Sequence, residues 1–149
     1  MGLPWCPMFV RTPPVLLAAD FGMGAAYSGT EAGSPTSVTL TVKADGTWTI
    51  TFGGGDTPAG TPTSGNWTAS TLAGIGSDYR VAFSTANPVN SPTITNTDAP
   101  TPTIIDGDKV ITVAKGSANA SADVTVSITP IYGSQTTLTD TANFAANGA

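Results

Sequence analysis

Histidine is absent from this 149-residue chain, and cysteine occurs once, at Cys6. Without histidine the chain can form neither a Ser-His-Asp nor a Cys-His nucleophilic site, and it has no histidine ligand for zinc. A single cysteine forms no intrachain disulfide and no thiolate cluster. The sequence therefore predicts a protein that is not an enzyme, needs no cofactor and folds without a covalent cross-link.

Charge is also scarce. Charged residues make up 10% of the chain, whereas an average soluble domain has roughly 25%. Ten acidic residues against five dispersed basic ones give a net charge of −5. Nucleic acids and anionic membranes are bound by clustered Lys and Arg, so neither is an expected partner. The apolar run at 15–19 is too short for a signal peptide, and no run reaches the ~20 residues of a membrane span. We expect synthesis in the cytoplasm.

Threonine, serine, asparagine and glycine take the place of the missing charge. Threonine is β-branched and suits a pleated, half-buried strand surface. Strict alternation of apolar residues with threonine flanks the turn signal Asp45-Gly46 and predicts a hairpin over 38–52. The same alternation predicts strands near 66–68, 79–84, 109–113 and 124–129, and a weak edge strand at 93–95. Residues 87–103 otherwise predict a connection.

These six or seven short strands, with no long helical pattern, predict an all-β chain folded as an Ig-like antiparallel β-sandwich over residues 36–130. The apolar members of the alternating strands form the predicted core. They are Val38, Leu40, Val42, Trp48, Ile50, Phe52, Trp67, Tyr79, Val81, Phe83, Val124, Val126 and Ile128.

The two ends of the chain differ from this pattern. Residues 1–35 include prolines at 4, 7, 13 and 14, which disfavour a long helix, and they are unusually apolar. They predict an extended N-terminal arm, with Trp5, Phe9, Leu16 and Leu17 as candidate interface residues. Residues 131–149 are small and polar and predict a loose C-terminal tail in which Leu138 and Phe144 are the possible anchors.

Three groups of residues have a chemical interpretation beside a structural one. Asp56, Asp78, Asp106 and Asp108 could form a carboxylate pair, and the last two could contribute to a calcium site, but all four lie in predicted turns, where Asp is common. Trp48, Trp67 and Tyr79 could stack on a sugar, but their aliphatic neighbours favour the core. We therefore predict no catalytic and no metal-binding residues.

Four segments also carry a resemblance: 44–48 (ADGTW), 63–67 (TSGNW), 74–81 (GIGSDYRV) and 122–128 (ADVTVSI). Together they resemble small virion-associated proteins of tailed bacteriophages, over roughly residues 37–129. The chain departs from that pattern at Ile104-Ile105, where the family usually has a tryptophan-containing segment, and in continuing past Pro130.

The resemblance implies a non-catalytic structural protein of a bacteriophage virion. We expect it to be associated with the tail, whether on the tail itself, at the tail tip or at a fibre attachment. Its partners would be other virion proteins and copies of itself in a symmetric assembly. Two alternatives remain open: a capsid decoration or head-fibre protein, and a carbohydrate-binding or adhesin module that contacts a host-surface glycan.

Overall fold

The computed structural model describes residue 23 and residues 35–54, 62–67, 79–98, 107–131 and 137–148. These residues form eight β-strands and contain no α-helix, so none of them belongs to a helix that could span a membrane. In chain order the strands are β1 (Ser37–Val42), β2 (Thr47–Gly53), β3 (Ser64–Asn66), β4 (Tyr79–Val89), β5 (Thr93–Asn96), β6 (Lys109–Ala114), β7 (Ala120–Pro130) and β8 (Leu138–Ala146).

The strands form two antiparallel sheets. The five-stranded sheet has the order β3-β2-β1-β6-β5, and the three-stranded sheet has the order β4-β7-β8. The predicted hairpin is confirmed, because β1 pairs with β2 in a register that sets Leu40 opposite Ile50 and Val42 opposite Trp48. The all-β fold class is therefore confirmed.

The two sheets share one hydrophobic core. Strand β6 approaches both β7 and β8, strand β1 approaches β8, and buried side chains from both sheets belong to a single cluster. Period-two alternation produces this arrangement, since every second residue of each strand points inward. All residues of the predicted core are buried except Phe52, which is partly buried and packs against the cluster. The fold is thus sandwich-like.

The prediction of a loose C-terminal tail is wrong for residues 138–146, which form β8. This strand pairs along its whole length with β7, from Leu138 opposite Ile128 to Ala146 opposite Ala120. Leu138 and Phe144 are completely buried. Residues that were expected at most to anchor a tail are therefore part of the core and close one edge of the three-stranded sheet.

Two smaller predictions also need correction. Strand β4 continues through Asn87 and Pro88 to Val89, in a region predicted to be a connection. The strand expected at 66–68 lies at Ser64–Asn66 instead, and Trp67 follows it. The edge strand predicted at 93–95 is confirmed as β5, at the margin of the five-stranded sheet.

Of the predicted N-terminal arm, the structure describes only Met23 and Pro35. Met23 is completely buried within the hydrophobic core. Pro35 is also buried, and its carbonyl oxygen accepts a hydrogen bond of 3.0 Å from the backbone N–H of Gly148. At these two positions the segment packs on the body of its own chain.

Candidate functional site

The turn between β1 and β2 fixes the geometry of the first hairpin. Gly46 has a φ of 93°, a left-handed conformation that glycine adopts without steric cost. The carboxylate of Asp45 accepts hydrogen bonds from the backbone N–H of Thr47 at 3.0 Å and from its hydroxyl at 2.5 Å. The hydroxyl bond is the main reason that the pKa of Asp45 lies below its ordinary value of 3.8.

Two tryptophans pack behind this turn. The indole Nε1 of Trp67 donates a hydrogen bond to the carbonyl oxygen of Lys43 at 2.8 Å. The backbone N–H of Trp67 donates to the carbonyl oxygen of Gly46 at 2.9 Å. The ring of Trp67 meets the ring of Tyr79 edge to face, with centroids 5.0 Å apart. Trp67 therefore links the hairpin turn to the first residue of β4, in the other sheet.

Gly65 makes room for the second tryptophan. It lies opposite Trp48 in the β2–β3 pair, and a Cβ atom at Gly65 would come within 2.6 Å of the indole ring of Trp48. Real Cβ atoms do not approach other atoms so closely, so a larger residue would displace the ring. The glycine of the segment 63–67 is thus required by its contact with Trp48.

The outer side of the five-stranded sheet carries rows of threonine. Adjacent strands set Thr51, Thr39, Thr112 and Thr95 side by side across β2, β1, β6 and β5. The hydroxyls of Thr39 and Thr112 are hydrogen-bonded at 2.8 Å. We call this surface the threonine face. Its members are Thr39, Thr41, Thr47, Thr49, Thr51, Thr93, Thr95 and Thr112.

The outer side of the three-stranded sheet is organised around a charge. Asp123 on β7 accepts hydrogen bonds from Nδ2 of Asn87 on β4 at 2.7 Å and from Nδ2 of Asn143 on β8 at 2.8 Å. These two bonds hold the pKa of Asp123 below its ordinary value of 3.8. The carboxylate therefore ties all three strands together. None of these three residues was a candidate in the sequence analysis, because each has the features of an ordinary solvent-facing polar residue.

On each edge strand of the three-stranded sheet, an aspartate carboxylate accepts a hydrogen bond from a backbone N–H. On β4, the N–H of Phe83 donates to the carboxylate of Asp98 at 2.8 Å. On β8, the N–H of Thr141 donates to the carboxylate of Asp140 at 2.9 Å. The β4–β7 ladder also shifts register between Ala86 and Val89. Such bulges and inserted polar groups protect edge strands from pairing with another chain.

The three aromatic residues considered as a sugar-stacking platform are in the core. Trp48 and Trp67 are each 1% exposed and Tyr79 is 6% exposed. Burial also raises the pKa of Tyr79 above 10.0. An aromatic ring stacks on a sugar only through an exposed face, so these residues do not form a glycan platform in this structure.

Of the four candidate carboxylates, the described part of the chain includes only Asp108. Asp108 is exposed in the turn before β6, while Asp56, Asp78 and Asp106 lie outside the described residues. Among the described residues no three His, Cys, Asp or Glu side chains are grouped as metal ligands would be. The candidate interface residues Trp5, Phe9, Leu16 and Leu17 also lie outside the described residues.

Comparison of the chain with protein-family models, with curated protein sequences and with solved structures gave no match.

Proposed function

We propose that this chain is a non-catalytic structural protein of a bacteriophage virion, with an Ig-like sandwich as its body and a position on the tail. The observation that carries the proposal is the way the resembling segments meet in space. Segments 44–48 and 63–67 meet through the contact of Trp48 with Gly65. Segments 63–67 and 74–81 meet through the rings of Trp67 and Tyr79.

The fourth segment joins the same unit. Strands β4 and β7 pair so that Val81 lies opposite Ile128. The motif residues are therefore neighbours within one core, although up to 84 positions separate them in the sequence. A pattern of residues that contact one another specifies a fold, and this supports treating the four segments as one structural signature.

The surface also suits a protein held in many copies. Repeated subunits meet at high local concentration, where free strand edges would pair indiscriminately. In this chain Asp98 and Asp140 occupy backbone donors of β4 and β8. These bonds occupy one donor on each edge strand of the three-stranded sheet, which disfavours the addition of a neighbour's strand at those two points, and we expect specific contacts through the arm and the sheet faces.

Particle composition tests the proposal. Virions of the phage that encodes the chain are purified, their proteins are identified by mass spectrometry, and a tagged copy is located in a low-resolution map. We expect the chain in stoichiometric amount on the tail. Density on the capsid would favour the decoration or head-fibre alternative, and absence from purified virions would overturn the virion proposal.

The arm has its own test, for which the buried Met23 sets the boundary. A deletion that includes Met23 removes a core side chain, so the test removes residues 2–20 only. If the arm anchors the chain in the particle, the truncated protein keeps the thermal stability of the full chain but no longer enters virions. Normal incorporation, or loss of folding, would contradict an assembly role for these residues.

A further inference from the structure

We propose that the threonine face is a self-complementary contact between two copies of this chain. The proposal rests on the proposed function in one respect, namely that copies of the chain lie next to one another in an assembly. It adds which surface of the body they use.

The charge distribution selects this surface. Along the strands of the five-stranded sheet, every outward-pointing side chain is uncharged: Ser37, Thr39, Thr41, Thr47, Thr49, Thr51, Ser64, Asn66, Thr93, Thr95, Val110, Thr112 and Ala114. The outer side of the three-stranded sheet instead carries Arg80 and Asp123. Copies with a net charge of −5 repel one another, so they meet most readily where neither presents a charge.

The chemistry of the face favours an identical partner. A threonine hydroxyl donates one hydrogen bond and accepts two, so two threonine rows facing each other can satisfy each other's hydroxyls. A basic, acidic or phosphate-rich partner would find no opposite charge there. The face is also stiff, because β-branched side chains have few rotamers and Thr39 is already bonded to Thr112. A two-fold axis through the face would make the contact isologous.

The size of the face sets the expected strength. Four strand spacings of ~4.8 Å and rows ~6.8 Å apart give a footprint of roughly 19 by 20 Å. A stable pair of proteins buries about 800 Å² on each side, and this footprint is roughly half of that. We therefore expect weak, concentration-dependent pairing in free solution, which becomes effective when an assembly holds copies close together.

The test compares two matched threonines in the full-length chain. Thr39 lies on the central strand of the five-stranded sheet and is hydrogen-bonded to Thr112. Thr125 lies on the central strand of the three-stranded sheet and is bonded to Thr141 at 2.7 Å. Thr39→Lys and Thr125→Lys are purified, checked for unchanged melting temperature, and compared with wild type by sedimentation velocity over a wide concentration range.

We expect the wild type and Thr125→Lys to associate as concentration rises, and Thr39→Lys to associate at least tenfold more weakly. A mixture of Thr39→Lys with Thr39→Glu should regain association, because opposite charges then meet across the contact. Equal behaviour of the two lysine variants, a wild type that stays monomeric, or a mixture that does not recover would each overturn the proposal. These outcomes need no virion, so they are independent of the particle-composition test.

Discussion

The outer faces of the two sheets of this protein carry different sets of polar side chains. Each has an inner face in the common core and an outer face toward solvent. The five-stranded sheet covers its outer face with threonines, and one pair, Thr39 and Thr112, bonds directly across strands. The three-stranded sheet also has a threonine pair, Thr125 and Thr141, and in addition a carboxylate at Asp123 that accepts from both neighbouring strands. The same domain therefore contains uncharged rows of threonine and a group of polar side chains centred on a carboxylate.

The two sheets resemble each other in how far along the chain their contacts reach. In the five-stranded sheet β1, β2 and β3 are consecutive, but β1 also pairs with β6, which sets Ser37 opposite Ala114. In the three-stranded sheet β7 and β8 are consecutive, and β7 also pairs with β4, which is formed from residues about forty positions earlier. Each sheet therefore combines strands that are neighbours in the sequence with one long-range pair.

The largest expected effect tests whether the two sheets contribute equally to the core. Trp48 of the five-stranded sheet and Phe144 of the three-stranded sheet are 1% and 0% exposed. Truncating either to alanine should cost about 3–5 kcal/mol, as for other large aromatic core residues. The measurement is equilibrium denaturant unfolding of Trp48→Ala and Phe144→Ala.

Val89→Ala is the control, since Val89 is 53% exposed. Its free energy of unfolding should lie close to that of the wild type. If Phe144→Ala were as mild as Val89→Ala, β8 would not be part of the cooperative core, and the two sheets would not be equivalent.

The strands of the two sheets were not equally predictable, and the reason lies in their side chains. The β1–β2 hairpin could be predicted, because valine, leucine and isoleucine alternate with threonine on both sides of Asp45-Gly46. In β8 the inward positions are Leu138, Asp140, Ala142 and Phe144. The period of two is present there, but an inward aspartate and small alanines, which are depleted in strands, conceal it.

The second half of β4 was missed for a related reason. Asn87 and Pro88 are residues of turns, and proline removes a ladder donor. Here both lie at the register shift of an edge strand, where proline is tolerated, and Asn87 adopts a φ of 50°. The Asn87–Asp123–Asn143 ladder could not be predicted either, since it depends on strand neighbours that the sequence does not specify.

A smaller effect sharpens the account of the five-stranded sheet. Replacing Gly65 by alanine forces a Cβ into the ring of Trp48. Overpacking of this kind costs typically 1–3 kcal/mol. Gly116→Ala is the matched control, because a Cβ at Gly116 meets nothing within 4 Å. Thermal unfolding of both variants should show a clear loss only for Gly65→Ala, and equal melting temperatures would contradict the close packing of Trp48.

The smallest effect concerns the two carboxylates whose pKa values are lowered. Asp45 is bonded to a residue two positions away, and Asp123 to residues 36 and 20 positions away. We therefore expect the low pKa of Asp45 to depend on its own turn alone and that of Asp123 to depend on the assembled three-stranded sheet.

An NMR titration of the carboxyl carbons can separate these two cases. In the wild type both groups should titrate below 3.8, the ordinary value for each. Asn87→Ala should bring the pKa of Asp123 back toward 3.8 and leave the pKa of Asp45 unchanged, while Thr47→Val should do the reverse.

Because both pKa values are lowered in the folded state, each carboxylate stabilises the fold above pH 3.8, and this contribution disappears as the pH falls through the folded pKa. Asp123→Asn should accordingly flatten the loss of stability between pH 5 and the acid limit, as about one ionisable group fewer is linked to folding. A titration in which Asn87→Ala leaves Asp123 unmoved would show that the ladder across β4, β7 and β8 does not hold this charge.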